Sequence, residues 1–189
     1  KVLKGPNYWS VRRGKLIQMK LDLEEKENMP TNKIPGFRER LEKLLPSLYE
    51  HRCSEGKPGG FFHRVDEGTW MGHVVEHIAL EIQTLAGMDT GFGRTRTPEG
   101  EKEGVYYVVF SYMEEDAGVY AAHASVRIAQ ALIDGKDYEV DSTSLLRRRT
   151  VMHTLERAGH RSFRSTDRAE RPGSCVSTPA NIVSRCGVM

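Results

Sequence analysis

Two histidines and a glutamate with the spacing of a metal-dependent hydrolase lie in the first half of the chain. His73, Glu76 and His77 form the pattern H-x-x-E-H, which is the inverted form of a zinc-peptidase motif. On an α-helix, residues three and four positions apart share one face, so these three side chains would point in the same direction. Two neutral imidazoles can bind Zn²⁺ and leave room for a third ligand and a water, whose proton Glu76 would accept. The spacing therefore predicts hydrolysis of an amide or an ester.

A solvated polar helix face would show the same spacing, and the sequence alone leaves both interpretations open. A metal site also needs a third protein ligand from elsewhere in the chain. Spacing does not choose among the candidates, which are His51, Glu81, Glu114 and Glu115.

Two further groups of residues could contribute chemistry. Arg94 and Arg96 lie in a glycine-flanked segment, where guanidinium groups can bind carboxylates or phosphates. A solvated turn is the alternative interpretation of this segment. His51 and Cys53 precede a glycine-rich loop and could have a catalytic role. The alternative interpretation is structural: the histidine would cap the end of a helix, and the cysteine would be buried and inert.

The elements that must position these residues follow from hydrophobic periodicity. Apolar residues that alternate, or recur at helical spacing, predict strands within residues 11–24 and 105–112 and helices at residues 36–50, 69–86 and 117–133. Thr69 is the expected N-cap of the helix that carries the motif, and Gly87 is expected to end it. Residues 91–104 are predicted to lack regular structure. This order predicts an α+β fold, in which helices cover a small sheet within a single domain.

Composition limits the class of protein. The chain has 189 residues, enough for one domain of ordinary size plus an appendage. No apolar run approaches the roughly 18 residues of a membrane helix, and the first ten residues show no secretory signal, so a cytoplasmic location is expected. Three widely spaced cysteines, an odd number, argue against a disulfide framework.

Charge is distributed unevenly along the chain. Residues 1–138 carry 19 Lys and Arg against 21 Asp and Glu, a balance of −2, whereas residues 139–189 carry 9 against 5, a balance of +4. The change in composition predicts a domain at residues 1–140 and an Arg/Ser-rich, disordered tail at residues 141–189. The negative balance of the first segment argues against a nucleic-acid partner.

Five short motifs occur in an order that resembles the N-terminal domain of cyanophycin synthetases. They are GPNYWS at 5–10, IPGF at 34–37, EHRCS at 50–54, EGTWMGHVVEH at 67–77 and GFGRTR at 91–96. The resemblance covers about residues 2–140. It implies a family that extends cyanophycin, a poly-aspartate bearing arginine on its side chains, with an ATP-grasp domain and a Mur-ligase-like domain. Neither of those domains is expected in this chain, which has no G-x-x-x-x-G-K-[ST] sequence, so no ATP site is predicted.

The resemblance also implies roles for individual residues. In this family the N-terminal domain holds the polymer, and in some members a metallopeptidase-like site cuts it into primers. Matched onto this chain, His73 and His77 become the metal ligands and Glu76 the general base. Glu115 is the first choice for the third ligand, because it matches a family glutamate.

The resemblance implies that Arg94 and Arg96 bind the polymer, through its aspartate backbone or its free carboxylates. Cyanophycin is thus the expected partner and zinc the expected cofactor, with no nucleic acid or membrane, while a homo-oligomer is left open. Whether the chain is an enzyme is also left open. The alternatives are a non-catalytic polymer-anchoring module and an inactive fragment of the ATP-dependent synthetase.

Overall fold

The computed structural model describes residues 1–5, 7, 9, 14–24 and 28–140. These residues form a single α+β domain, as the sequence predicted, in which helices pack on a small antiparallel sheet. The described strands are β1 (Val2–Lys4), β2 (Lys15–Asp22), β3 (Gly93–Arg96) and β4 (Val105–Ser111), in the order β1-β2-β4-β3. The described α-helices are α1 (Phe37–Leu44), α2 (Gly60–Glu67), α3 (Met71–Leu85) and α4 (Glu115–Ile133). The predicted tail, residues 141–189, lies outside the described residues.

The sheet has β4, a run of β-branched and aromatic residues, in a central position. It pairs with β2 on one side, where Ile17 lies opposite Phe110 and Leu21 opposite Tyr106. These four side chains belong to the hydrophobic core, which lies between the sheet and the helices. On its other side β4 pairs with β3, so β1 and β3 are the two edges of the sheet.

Helix α3 follows the predicted motif helix closely. Its apolar side places Val74, Ile78 and Ile82 in the core with no exposed surface. Leu85 continues the same spacing but is 43% exposed, because it is in the last turn of the helix. The helix ends where predicted, before Gly87, which has the positive φ of 76° that glycine adopts readily.

Two predictions of secondary-structure elements were wrong, and one helix was missed. Residues 36–50 do not form one helix, since α1 ends at Leu44 and Pro46 begins a 3₁₀ helix, Pro46–Glu50. Residues 91–104 are not wholly irregular, because β3 forms there by pairing with β4. Helix α2 was not predicted; it directly follows the 3₁₀ helix Cys53–Glu55 and the glycine-rich residues of this region.

Within the described part of the chain, no helix combines the length and the apolar character needed to cross a membrane.

Candidate active site

Helix α3 brings the three residues of the H-x-x-E-H pattern to one cavity of about 510 Å³. The residues of this cavity that bear on chemistry are His51, Cys53, His73, Glu76, His77 and Thr90. They come from α3, from the segment before α2 and from the loop before β3. We call this space the α3 cavity.

His77 is held in place by two neighbouring rings. The phenyl ring of Phe61 stacks on the imidazole, with the ring centres 4.1 Å apart and the planes 22° from parallel. Nδ1 of His77 lies 2.8 Å from Nδ1 of His51, and Nε2 of His51 lies 2.9 Å from a carboxylate oxygen of Glu81. A carboxylate only accepts hydrogen bonds, so His51 donates through Nε2. A neutral His51 then accepts at Nδ1 from His77, which leaves Nε2 of His77 unprotonated and able to bind a metal.

Glu81 supports this arrangement from the core side. Its side chain is only 1% exposed, and it accepts hydrogen bonds from Ser47 and His51. Burial raises the pKa of the Glu81 carboxyl, but the hydrogen bonds from His51 and Ser47, together with the electrostatic interaction with His51, outweigh that effect and lower the pKa overall. Glu81 is therefore an ionised acceptor that orients His51, as outer carboxylates commonly do for histidine ligands.

His73 is oriented by a threonine in the preceding turn. The hydroxyl of Thr69 lies 2.8 Å from Nδ1 of His73, so Thr69 does not cap the helix as predicted, and Trp70 occupies the N-cap position. Nε2 of His73 lies 3.3 Å from Sγ of Cys53. The imidazole therefore has one nitrogen fixed by Thr69 and the other facing the thiol.

Both imidazoles of the motif are neutral at physiological pH. Burial lowers the pKa of His73 to about 4, and the charge of Arg64 acts in the same direction. Burial also lowers the pKa of His77 well below its ordinary value, and the neighbouring His73 and His51 lower it further. Neutral imidazoles are the form of histidine that binds metal ions, so no proton needs to be removed from the rings before binding.

Glu76 is a buried carboxyl group at the wall of the α3 cavity. It is 7% exposed, and the hydroxyl of Thr95 on β3 donates a hydrogen bond of 2.6 Å to its Oε2. Burial raises the pKa of Glu76 to about 7, although the Thr95 hydrogen bond and the charge of Arg94 oppose the increase. A carboxyl group that titrates near neutral pH can both accept and return a proton, which general acid-base catalysis requires.

The residues present fit a zinc ion. Sγ of Cys53 and one ring nitrogen each of His73 and His77 lie within 4.8 Å of one another. Thiolate and imidazole are the ligands that zinc prefers, and three protein ligands with an open fourth position are typical of catalytic zinc sites. The H-x-x-E-H helix and Cys53 thus provide the donor set for a metal site.

Glu115, the first choice for the third ligand, is not brought to the histidines. It begins α4, and its carboxylate lies 2.6 Å from Nζ of Lys4 on β1. Strand β1 is one edge of the sheet, whereas the α3 cavity adjoins β3 at the other edge. Of the other candidates, His51 and Glu81 lie beside His77, as described above.

The two arginines lie on the opposite face of β3 from the α3 cavity. Along the strand, the half-buried Thr95 points to Glu76, and its neighbours Arg94 and Arg96 are exposed on the other side. The guanidinium carbon of Arg96 lies 5.9 Å from the centre of the Trp9 ring. Arg96, Trp9 and Tyr107 line a second depression of about 540 Å³. A polymer-binding role for the arginines therefore requires a surface separate from the α3 cavity.

Three threonines at the site were missed by the sequence analysis. Thr69 lies four residues before His73, so helical spacing could have identified it. Thr95 reaches Glu76 through the pairing of β3 with β4, and Thr90 lines the cavity from the loop before β3, and sequence spacing shows neither position. The hydroxyl of Thr90 is buried and has no hydrogen-bond partner among the described residues. Buried hydroxyls are usually hydrogen-bonded, which makes Thr90 an exception at the wall of the cavity.

Comparison with known proteins gives the family. Residues 18–134 match the model of the cyanophycin synthase-like N-terminal domain. Cyanophycin synthetase of Synechocystis sp. is 57% identical over 138 residues, which are 73% of this chain and 16% of that protein. Cyanophycin synthetase of Geminocystis herdmanii is 58% identical over 139 residues, 74% of this chain and 16% of that protein.

This similarity spans about one sixth of the length of those curated relatives. The matched region includes β3, β4, α1 to α4 and most of β2, and therefore all the residues of the α3 cavity discussed above. The chain belongs to the cyanophycin synthase-like N-terminal domain family.

Proposed function

We propose that this domain binds cyanophycin and cuts an amide bond of the polymer by metal-dependent hydrolysis, which would supply primers for polymer synthesis. The observation that carries the proposal is the convergence of His73, Glu76 and His77 on one cavity, with a thiol beside them. The substrate class rests on the relatives, which are named cyanophycin synthetases.

The chemistry assigned to the chain's own residues is a proton transfer. His73 and His77 would hold a zinc ion, which supplies Lewis-acid activation of water and of the amide carbonyl when bound. Glu76 accepts the proton of the attacking water as the water oxygen bonds to the carbonyl carbon. It then returns the proton to the amide nitrogen as the carbon–nitrogen bond breaks. One water is consumed, and a new carboxylate and a new amine are the products.

The surroundings of Glu76 suit this role. The Thr95 hydroxyl fixes one carboxylate oxygen, which holds the base in a single orientation. Helix α3 positions the base and the two histidines together, so their relative geometry does not depend on a flexible loop. A site on a rigid element retains the alignment that proton transfer needs.

Polymer binding is assigned to the exposed side of β3. Arg94 and Arg96 can pair with the carboxylates of a poly-aspartate, and the acidic groups of the domain can pair with its arginine side chains. The aromatic rings of Trp9 and Tyr107 beside Arg96 offer surfaces on which a guanidinium group can stack.

A non-catalytic anchoring module is the second candidate function. One observation favours it: the two arginines lie on the opposite face of β3 from the α3 cavity. Polymer could therefore bind to the domain without entering the cavity. The two functions are compatible, but only the hydrolase requires the metal site.

The experiment compares binding and cleavage in one preparation. The purified chain is incubated with cyanophycin and Zn²⁺, with and without a chelator, and polymer length and new amino ends are followed with time. Shorter polymer and new ends that depend on the metal would support the hydrolase. Polymer of unchanged length that still co-sediments with the protein would refute the hydrolase and support anchoring.

A further inference from the structure

We infer that the open edge of β3, the side of the strand that faces away from β4, binds the main chain of an extended polymer segment as an added strand of the sheet. The identity of the ligand rests on the proposed function. The binding mode follows from the position of β3 at the edge of the sheet and from the direction of its backbone groups. It does not depend on the metal.

The backbone groups of β3 alternate between β4 and the open edge. Ser111 of β4 donates its N–H to the carbonyl oxygen of Phe92 over 2.8 Å, so these two residues form a hydrogen-bonded pair. In an antiparallel ladder, such pairs alternate with pairs that exchange no hydrogen bonds. Arg94 lies opposite Val109, two residues along both strands, and is therefore the next residue of β3 that bonds to β4. The residues on either side of Arg94 do not bond to β4.

Gly93 and Thr95 direct their backbone N–H and C=O groups to the open edge instead. None of these groups has a backbone partner within the described part of the chain. Both residues are partly exposed, so an approaching chain can reach them. A row of outward N–H and C=O groups is complementary to the main chain of an extended peptide, which can pair with it as a further strand.

The open edge of β3 begins at the α3 cavity. Gly93 lines the cavity, and so does Gly91, two residues earlier. Neither residue has a side chain, and a Cβ added at Gly91 would meet no atom within 4 Å, so a second backbone can approach closely there. Glu76 lies against the same strand, since Thr95 donates a hydrogen bond to its carboxylate. A strand paired with β3 would therefore carry main-chain amides to the proposed base.

An added strand also connects the two groups of residues that lie on opposite faces of β3. Successive side chains of an extended chain point to opposite faces of a sheet. One set of polymer side chains would lie beside the exposed Arg94 and Arg96, whose guanidinium groups can pair with free carboxylates. The other set would lie on the face that α3 covers. Strand addition thus lets one polymer segment contact the arginines and the α3 cavity together.

The test measures hydrogen exchange of individual backbone amides by NMR. The full chain is held free of metal with a chelator, so that the ligand stays intact, and a short synthetic segment of cyanophycin is added. We expect exchange at the amides of Gly93 and Thr95 to slow by about tenfold or more, because carbonyl groups of the ligand accept hydrogen bonds from them. The amide of Gly100, in the exposed loop after β3, is the internal control and should exchange at an unchanged rate.

A second ligand separates main-chain pairing from attraction between charges. The same segment with a methyl group on every main-chain nitrogen keeps its side chains and charges but cannot pair as a strand. We expect it to bind at least about tenfold more weakly than the unmethylated segment, because main-chain hydrogen bonds contribute much of the affinity of an added strand. Isothermal titration calorimetry measures both affinities.

Three results would overturn the inference: no binding of the unmethylated segment, equal affinity of the two segments, or a bound segment that leaves exchange at Gly93 and Thr95 unchanged. Failure of the proposed function gives a different result. Metal-dependent cutting of cyanophycin without protection of the two amides would refute the added strand alone. Protection of the two amides in a protein that leaves cyanophycin intact with Zn²⁺ would refute the hydrolase and support the added strand.

Discussion

Gly93 on β3 leaves the space into which the carboxyl group of Glu76 on α3 fits. A Cβ atom added at Gly93 would lie 2.7 Å from Cδ of Glu76, closer than such atoms approach one another in proteins. Thr95, two residues along the strand, then donates its hydrogen bond to the same carboxylate. The edge strand thus holds the base in place only while residue 93 has no side chain.

Gly93→Ala should displace either the Glu76 carboxylate or β3. We expect the free energy of unfolding to fall by about 1–3 kcal/mol and polymer cleavage to slow by about 10²-fold, because the base loses its alignment. Denaturant titration and the rate of new-end formation measure the two effects. Gly91→Ala is the matched control, since Gly91 lines the same cavity but has nothing within 4 Å of an added Cβ. Equal loss of activity in both variants would contradict the assignment.

Thr90→Val tests whether the buried hydroxyl at the α3 cavity contacts substrate. Thr90 is 8% exposed, and its hydroxyl has no partner among the described residues. Removing an unsatisfied buried hydroxyl should leave stability unchanged or slightly higher, whereas KM for the polymer should rise about 5- to 10-fold. Thr84→Val, at an exposed threonine on α3, should leave KM unchanged. An unaltered KM in Thr90→Val would rule out the contact.

Removal of the support behind His77 should weaken metal binding without removing a ligand. We expect His51→Ala and Glu81→Gln each to lower zinc affinity about 10- to 100-fold, because the first removes the hydrogen bond that fixes the His77 tautomer and the second removes the ionised acceptor that orients His51. Competition with a chromophoric chelator measures the affinity, and circular dichroism checks that each variant is folded. His123→Ala, at an exposed histidine on α4, serves as the histidine control. Wild-type affinity in both folded variants would show that His51 and Glu81 do not support the metal site.

Arg94→Ala and Arg96→Ala should weaken polymer binding, and Arg96→Ala should leave the cleavage step unchanged, whereas loss of the Arg94 charge should also raise the pKa of Glu76. Both side chains are exposed, so each ion pair with the polymer is worth about 0.2–1 kcal/mol, and affinity should fall up to about fivefold. The effect should shrink at high salt, which screens exposed charges. Sedimentation of the protein with cyanophycin at two salt concentrations measures it. Arg127→Ala, at an exposed arginine on α4, is the control, and an equal loss there would mean that binding reflects overall charge.

The parts of the fold that could be predicted are those that depend on neighbouring residues in the chain. The apolar face of α3 recurs at helical spacing, and Gly87 marks its end, so its boundaries were found to within two residues at each end. Strand β3 consists of Gly-Arg-Thr-Arg and has no apolar alternation. It is a strand because β4 offers it hydrogen bonds, and that interaction is not visible in a local pattern.

The same distinction explains the site. His73, Glu76 and His77 were predicted together because one helix positions all three. Cys53 reaches His73 from 20 residues away through the packing of α2, and Thr95 reaches Glu76 through strand pairing. Family matching made Glu115 the first choice among the candidate ligands, and the order of the strands puts it at the other edge of the sheet.

The central claim, that Glu76 acts as the base of a metal-dependent hydrolase, is tested most directly by Glu76→Gln. Glutamine keeps the size of the side chain and the oxygen that accepts from Thr95, but it cannot take a proton from water. Cleavage rate and polymer affinity are measured on the same zinc-loaded protein. The account predicts that cleavage falls by about 10²-fold or more while affinity for cyanophycin stays within about twofold. Cleavage at the wild-type rate in a folded, zinc-loaded Glu76→Gln variant would contradict it.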